Sequence, residues 1–143
     1  MTVALILAQK GRDVVTVHPD TLLRDAVNEL AARRIGAIVV TDDSGKVRGI
    51  ISERDVVREI ARQGPSALEI AVSACMTRAV VTCEESDTVD HVMGVMTTNR
   101  FRHLPVASEG VLAGIVSIGD VVKRKIEQAV RDAEDLRNYI AMS

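Results

Sequence analysis

The sequence predicts an α/β fold, of the α+β kind, in which one β-α-β-β-α unit is used twice and a long helix follows. Three observations predict it. First, Gly49-Ile50-Ile51-Ser52-Glu53-Arg54-Asp55-Val56-Val57 returns as Gly114-Ile115-Val116-Ser117-Ile118-Gly119-Asp120-Val121-Val122. The shift, from 49 to 114, is 65 residues, and self-similarity at a fixed period marks a repeated supersecondary unit. Second, apolar runs of strand length alternate with segments of helical periodicity. Third, the segment from Val121 to Ile140 contains neither Gly nor Pro and has dense charge.

The elements follow in order. Val3 to Leu7 reads as a short leading helix. Val14-Val15-Thr16-Val17 is a β-branched run and reads as a strand. Asp20 or Thr21 suits the N-cap of the next helix. That helix sets Leu23, Ala26, Val27 and Leu30 on one face. Arg33-Arg34 closes it, with Gly36 as the C′ residue. Ala37 to Val40 is continuously apolar, as in a buried strand. Asp42-Asp43-Ser44-Gly45 is turn chemistry, and Val47 to Ser52 makes the third strand, hairpin-paired with the second. A helix from Asp55 to Arg62 turns Val56, Val57 and Ile60 inward.

Gln63-Gly64-Pro65-Ser66 reads as a linker, and Val72 to Met76 as a second short helix. The plan then repeats. Val80 to Cys83 is the strand. Val89, Val92, Met93 and Met96 form the helix face. Leu104-Pro105-Val106 matches Ile38-Val39-Val40, and Glu109-Gly110 is a turn one residue shorter. The boundaries are 1–64 and 65–128 for the repeats and 121–143 for the tail helix. In the tail, Val122, Ile126, Ala129, Ala133, Leu136 and Ile140 step by four and three, a heptad seam. Such a stripe either packs on its own domain or pairs with a second subunit.

Composition narrows the function. The 143 residues suffice for a core without metal or disulfide staples. With one Phe, one Tyr and no Trp, that core is aliphatic. Stacking platforms for single-stranded nucleic acid are missing. A net charge of −2 gives no basic field for nucleic acid or an anionic membrane. Arg33-Arg34 and Lys123-Arg124-Lys125 read as solvated or dipole-pairing groups. Cys75 and Cys83 read as reduced thiols of a cytoplasmic protein. Met1 to Ala8 is too short, and lacks the basic flank, for a leader. No stretch is long enough to span a membrane. No His-Glu-x-x-His, Walker loop, Gly-x-Ser-x-Gly or metal-spaced Cys/His cluster occurs, so no enzyme and no metal are expected.

The paired unit resembles the CBS domain, named for cystathionine β-synthase, and the tandem resembles a Bateman module. The resemblance spans about residues 2–128. It rests on both Gly-Ile-(Ile/Val)-Ser-x-x-Asp blocks, on Arg102-His103-Leu104-Pro105-Val106, and on the Val72 to Met76 segment leading into Thr77. It implies two repeats packed with pseudo-two-fold symmetry in a stand-alone bacterial protein. It also implies a regulatory, non-catalytic role with an adenine nucleotide (AMP, ADP, ATP or NAD) in the cleft and no required cofactor. The competing reading is a structural or partner-binding protein with vestigial pockets.

Residue chemistry agrees with that implication. A carboxylate at a helix start accepts both hydroxyls of a ribose, a role that suits Asp55 and Asp120. Ser52 and Ser117 suit ribose or phosphate, aided by helix N-terminal N–H groups. Arg102, His103 and Arg54 suit phosphate. The first copy has Gly36 and Ala37 where the second has Arg102 and His103, so two unequal sites are expected. Val15, Ile35 and Ala37 would line one adenine slot, and Val81, Phe101 and Thr77 the other. A thin tandem with uncovered helix faces predicts a homodimer.

Overall fold

The computed structural model describes residues 1–142. The first repeat contains β1 (Thr16–Val17), α2 (Leu23–Arg33), β2 (Ala37–Thr41), β3 (Val47–Ser52) and α3 (Glu53–Gln63), preceded by α1 (Val3–Lys10). The second contains α4 (Val89–Asn99), β4 (His103–Ser108) and β5 (Val111–Ser117), followed by α5 (Ile118–Met142). β1 runs parallel to β2, and β2 antiparallel to β3. β4 and β5 are antiparallel. Ala37 to Val40 is buried throughout, as the central strand of a covered sheet must be. The turn before β3 is held by Asp42 Oδ1, which accepts the Ser44 and Lys46 N–H groups at 2.9 and 3.1 Å.

Lys46 pairs with Val111, its own counterpart one repeat on. Val47 N–H donates to Gly110 O at 3.0 Å, and Leu112 N–H to Gly45 O at 3.2 Å. A residue that pairs with its own repeat-mate lies on the pseudo-two-fold axis. The two halves are therefore joined across it by backbone.

Each half is completed by a segment that the other half follows. α1 precedes the first repeat, yet Val3, Ile6 and Leu7 pack with Cys83, Val92, Met96, Leu104 and Val116 of the second. Val72 and Met76 precede the second repeat and pack with Leu23, Ile38, Ile51 and Val56 of the first. Gly49 and Gly114 make room for this exchange. A Cβ at Gly49 would lie 2.5 Å from Met76 Sδ, and one at Gly114 would lie 2.9 Å from Leu7 Cδ2.

The exchanged segments also cap helices. Leu23 N–H donates to Ile70 O and Val89 N–H to Met1 O, at 2.8 and 3.1 Å. Leu22, not Asp20 or Thr21, is the N-cap of α2, and its side chain makes no cap bond. The backbone carbonyl of Ile70 does that work. At the other end of α2, Arg34 rather than Gly36 holds the left-handed position, at φ 54°. Arg100 does the same for α4 at φ 58°.

Two more expectations are corrected. Val80 to Cys83 forms no strand; Cys83 alone bridges to Val106. The reason is Pro105. In the first repeat Val39 N–H bonds Val15 O at 3.3 Å. Pro105 stands at the matching position and has no N–H to offer Val81. In α3 the buried side chains are Asp55, Val56 and Glu59, whereas Val57 is 67% exposed and Ile60 is exposed too. The helix starts at Glu53, and the Ser52 cap holds Asp55 inward, which rotates Val57 out. α5 buries only Val121 and Arg124. Val122, Ile126, Ala129, Ala133 and Leu136 are exposed, so the stripe is not laid on its own domain. Among the described residues, no helix is long and apolar enough to cross a membrane.

Candidate functional site

The β3–α3 junction presents Ser52 and Asp55 as a reciprocal cap. Ser52 N–H and Oγ–H donate to Asp55 Oδ2 at 2.9 and 3.0 Å, and Asp55 N–H donates to Ser52 Oγ at 3.3 Å. Asp55 is 6% exposed. Its other oxygen, Oδ1, has two long contacts, each at 3.3 Å: the Thr77 hydroxyl and Arg58 Nη1. That oxygen can exchange loose partners for better ones, such as ribose hydroxyls. Thr77 is held there by backbone pairing with Ile50 in both directions, at 2.9 and 3.0 Å.

Asp55 opens into a cavity of about 420 Å³ between the repeats. The first repeat contributes Gly36, Ala37, Ile50, Ser52, Glu53, Arg54 and Arg58, and the exchanged segment that ends at Met76 leads in Thr77. The second contributes Asn99, Arg100, Phe101, Arg102 and His103 from the end of α4 and the start of β4. Four arginines thus face two carboxylates, Glu53 and Asp55, in one cleft. Gly36 allows close packing, since a Cβ there would sit 3.1 Å from His103 Cε1. Burial, then the charges of Lys10 and Arg102, hold His103 below the usual histidine pKa against the opposing pull of Asp120 and Glu53. The ring is therefore neutral at pH 7 and can serve as hydrogen-bond donor and acceptor.

Thr77 and Phe101 thus share a cavity with Ala37 rather than lining a separate slot. The Val72 to Met76 segment returns to the first repeat, and the axis brings the start of β4 against Gly36. Arg58 and Arg100 were not foreseen. Arg58 lies one turn beyond Arg54 on α3, a spacing that could have found it. Arg100 reaches the cleft because its left-handed backbone ends α4 there.

The remaining expected residues lie elsewhere. Val15 lines an open depression of about 790 Å³ between β1 and α2, walled by Asp13, Asp25 and Glu29 as well as Arg33. Ile35 packs on the first core. Val81 is exposed, displaced by the missing Pro105 donor. Ser117 and Asp120 repeat the cap, with Ser117 N–H to Oδ2 at 2.8 Å and Asp120 N–H to Ser117 Oγ at 3.1 Å. Here Lys10 Nζ also bonds Asp120 Oδ2, at 2.7 Å. Burial works to raise the Asp120 pKa, but Lys10 and the Ser117 bonds outweigh it and hold the carboxyl below its usual range. The adjoining cavity is about 160 Å³.

Cys75 and Cys83 are free thiols, pushed by burial up to about 11 and about 12 respectively. Among the described residues no His, Cys, Asp and Glu group is placed to hold a metal.

A family model for the CBS domain matches residues 11–62 and 72–127, which fall on the two structural repeats. The chain belongs to the CBS domain family. This CBS pair is similar to a solved CBS-domain-containing protein from Agrobacterium tumefaciens, at 51% identity and TM-score 0.84, over 87% of this chain and 99% of that one. It is also similar to the CBS domain pair of protein MJ0100, solved with 5′-methylthioadenosine and S-adenosyl-L-methionine. That likeness is 26% identity and TM-score 0.80, over 90% and 98% of the two chains. A third similar structure is a CBS domain protein from Pyrobaculum aerophilum complexed with AMP, at 25% identity and TM-score 0.75, over 84% and 89%. Related CBS pairs thus hold adenine-containing ligands.

Proposed function

We propose that this CBS pair is a non-enzymatic sensor that binds a phosphorylated adenine nucleotide (AMP, ADP, ATP or NAD) in the Asp55 cavity. The observation that carries this reading is the meeting of Asp55 with Arg54, Arg58, Arg100 and Arg102 in one cleft. Asp55 takes the ribose diol, and the guanidinium groups take phosphate, for which their planar donor sets are suited. Ala37, Ile50 and Phe101 supply apolar wall for the base. The cavity volume falls in the range of small-molecule sites.

The same cations select among adenine ligands. S-adenosyl-L-methionine offers one carboxylate beside two positive charges, and 5′-methylthioadenosine has no phosphate, so both answer four arginines less well than a phosphate does. At a concentration 100-fold above Kd, the bound nucleotide stabilises the fold by about 2.7 kcal/mol. For a chain of this size that raises Tm by roughly 5–10 °C. A thermal-shift panel should therefore show a clear rise with ATP, ADP or AMP and a smaller one with the two uncharged or cationic analogues. No shift with any of them would leave a partner-binding protein with vestigial pockets. Equal shifts would remove the role of the arginines.

The sensor works as a homodimer through α5. From residue 129 on, this helix is exposed all round, and isolated helices of such length are marginal in water. Val122, Ile126 and Leu136 offer an apolar stripe to a second copy. Light scattering at micromolar concentration should give twice the 15.4 kDa chain mass; a mass of one chain contradicts it. Signalling follows only if the nucleotide prefers one arrangement of the pair, since a ligand shifts an equilibrium by its differential affinity.

A further inference from the structure

The Ser-x-x-Asp cap occurs twice with matching geometry, but its surroundings differ. At Asp55, Oδ1 has only the two 3.3 Å contacts, and about 420 Å³ of space lies in front of it. At Asp120, the Lys10 ammonium stands 2.7 Å from Oδ2 and 3.0 Å from the Ile115 carbonyl. Ile115 is the repeat-mate of Ile50, whose carbonyl accepts Thr77 N–H at 2.9 Å. Each half thus closes the same carbonyl with the exchanged segment. The first uses backbone and leaves Asp55 Oδ1, with its two long contacts, on the wall of the larger cavity. The second uses a lysine side chain that also bonds Asp120 Oδ2, the oxygen that accepts Ser117 N–H.

We propose that Lys10 is a built-in ligand for Asp120, occupying the second half of the cleft so that each chain takes up one nucleotide, at Asp55. This rests on the nucleotide-binding reading above.

The placement of Lys10 follows from its helix. Val3, Ile6, Leu7 and Lys10 recur at the spacing of one helical face. The first three are locked in the second core. Lys10, the last residue of α1, is thereby aimed at the β5–α5 junction, and Gly11 ends the helix directly after it by donating to Leu7 O at 2.8 Å. Its ammonium offers a carboxylate what a ribose diol offers, N–H donors in place of O–H donors, and adds a full charge. The space lined by Lys10 and Asp120, about 160 Å³, is below the usual volume of a small-molecule site. Lys123 and Arg124 line that space, and Arg124 is already paired with Glu127 at 2.8 Å.

Equilibrium dialysis with AMP and with ATP counts the sites. The wild-type chain should bind one nucleotide, whereas Lys10→Ala and Lys10→Met should each bind two. Lys10→Met keeps the packed stem and removes only the charge. Asp55→Ala should bind none, and Asp55→Ala combined with Lys10→Ala should bind one again, now at Asp120. Circular dichroism melts establish that each variant is folded. Two nucleotides on the wild type, or one on both folded Lys10 variants, overturns the proposal while leaving the nucleotide reading intact. No binding by wild type or variant defeats the nucleotide reading itself. A measurement free of variants is the Lys10 ¹⁵Nζ resonance. It should stay in place under saturating AMP, and its displacement overturns the proposal.

Discussion

Asp55→Ala is expected to raise the Kd for AMP or ATP on the order of 100-fold or more in a chain that still folds. The reasoning is additive over two bonds. Hydrogen bonds to a charged acceptor are worth roughly 1.5–3 kcal/mol each, so losing both ribose contacts costs about 3 kcal/mol at least. The same carboxylate accepts Ser52 N–H and Oγ–H, so the substitution also removes half of a capping box. That costs about 1 kcal/mol of stability, a fall in Tm of a few degrees. Binding and stability therefore separate by magnitude. Asp55→Asn sharpens the test, because it retains an acceptor for the cap and loses the charge. It should recover most of the Tm and little of the affinity. Calorimetry and thermal melts on the three proteins measure both. Near-wild-type affinity in folded Asp55→Ala contradicts the assignment of Asp55 to the ribose.

The second large effect concerns the exchanged segments. Leu7→Ala should destabilise the chain by about 2–5 kcal/mol, the usual range for a buried Leu that leaves a cavity. Leu7 is fully buried against the second core and lies flat over Gly114. A helix that made no contact with the second repeat would show almost no cost. At a few degrees per kcal/mol, Tm should fall on the order of 10 °C. Leu5→Ala, on the exposed side of the same helix, is the control and should stay within about 0.5 kcal/mol. Equal effects from the two substitutions would show that α1 does not complete the second repeat.

Much of this architecture is legible in the letters, and the exceptions have physical causes. The recurrence of Gly-Ile-x-Ser-x-x-Asp locates both capped junctions, because cap chemistry is local. It also places Gly49 and Gly114, although only packing reveals that Met76 and Leu7 lie over them. The expected strand at Val80 to Cys83 fails through a partner distant in sequence, Pro105, whose missing N–H a local reading does not register. The inward face of α3 is set by a buried carboxylate, Asp55, where apolar periodicity favours Val57 and Ile60. The left-handed ends at Arg34 and Arg100 go against the preference for glycine there. In α4 that choice delivers a guanidinium to the cleft. Lys10 falls outside the expected helix, Val3 to Leu7, which the structure carries on to Lys10. One further helical step along the same face ends on a charge, and that step is where the two halves of the cleft part ways.

An amide ¹H–¹⁵N titration with AMP, in wild type and in Asp55→Ala, tests whether phosphorylated adenine nucleotides occupy the Asp55 half of the cleft. The expected result is a saturable set of shifts in wild type at Gly36, Ile50, Asp55, Thr77, Arg102 and His103, with Ser117 and the β1–α2 depression little changed and no such set in Asp55→Ala. Shifts centred on Val15 and Glu29, or an identical pattern in Asp55→Ala, would contradict it.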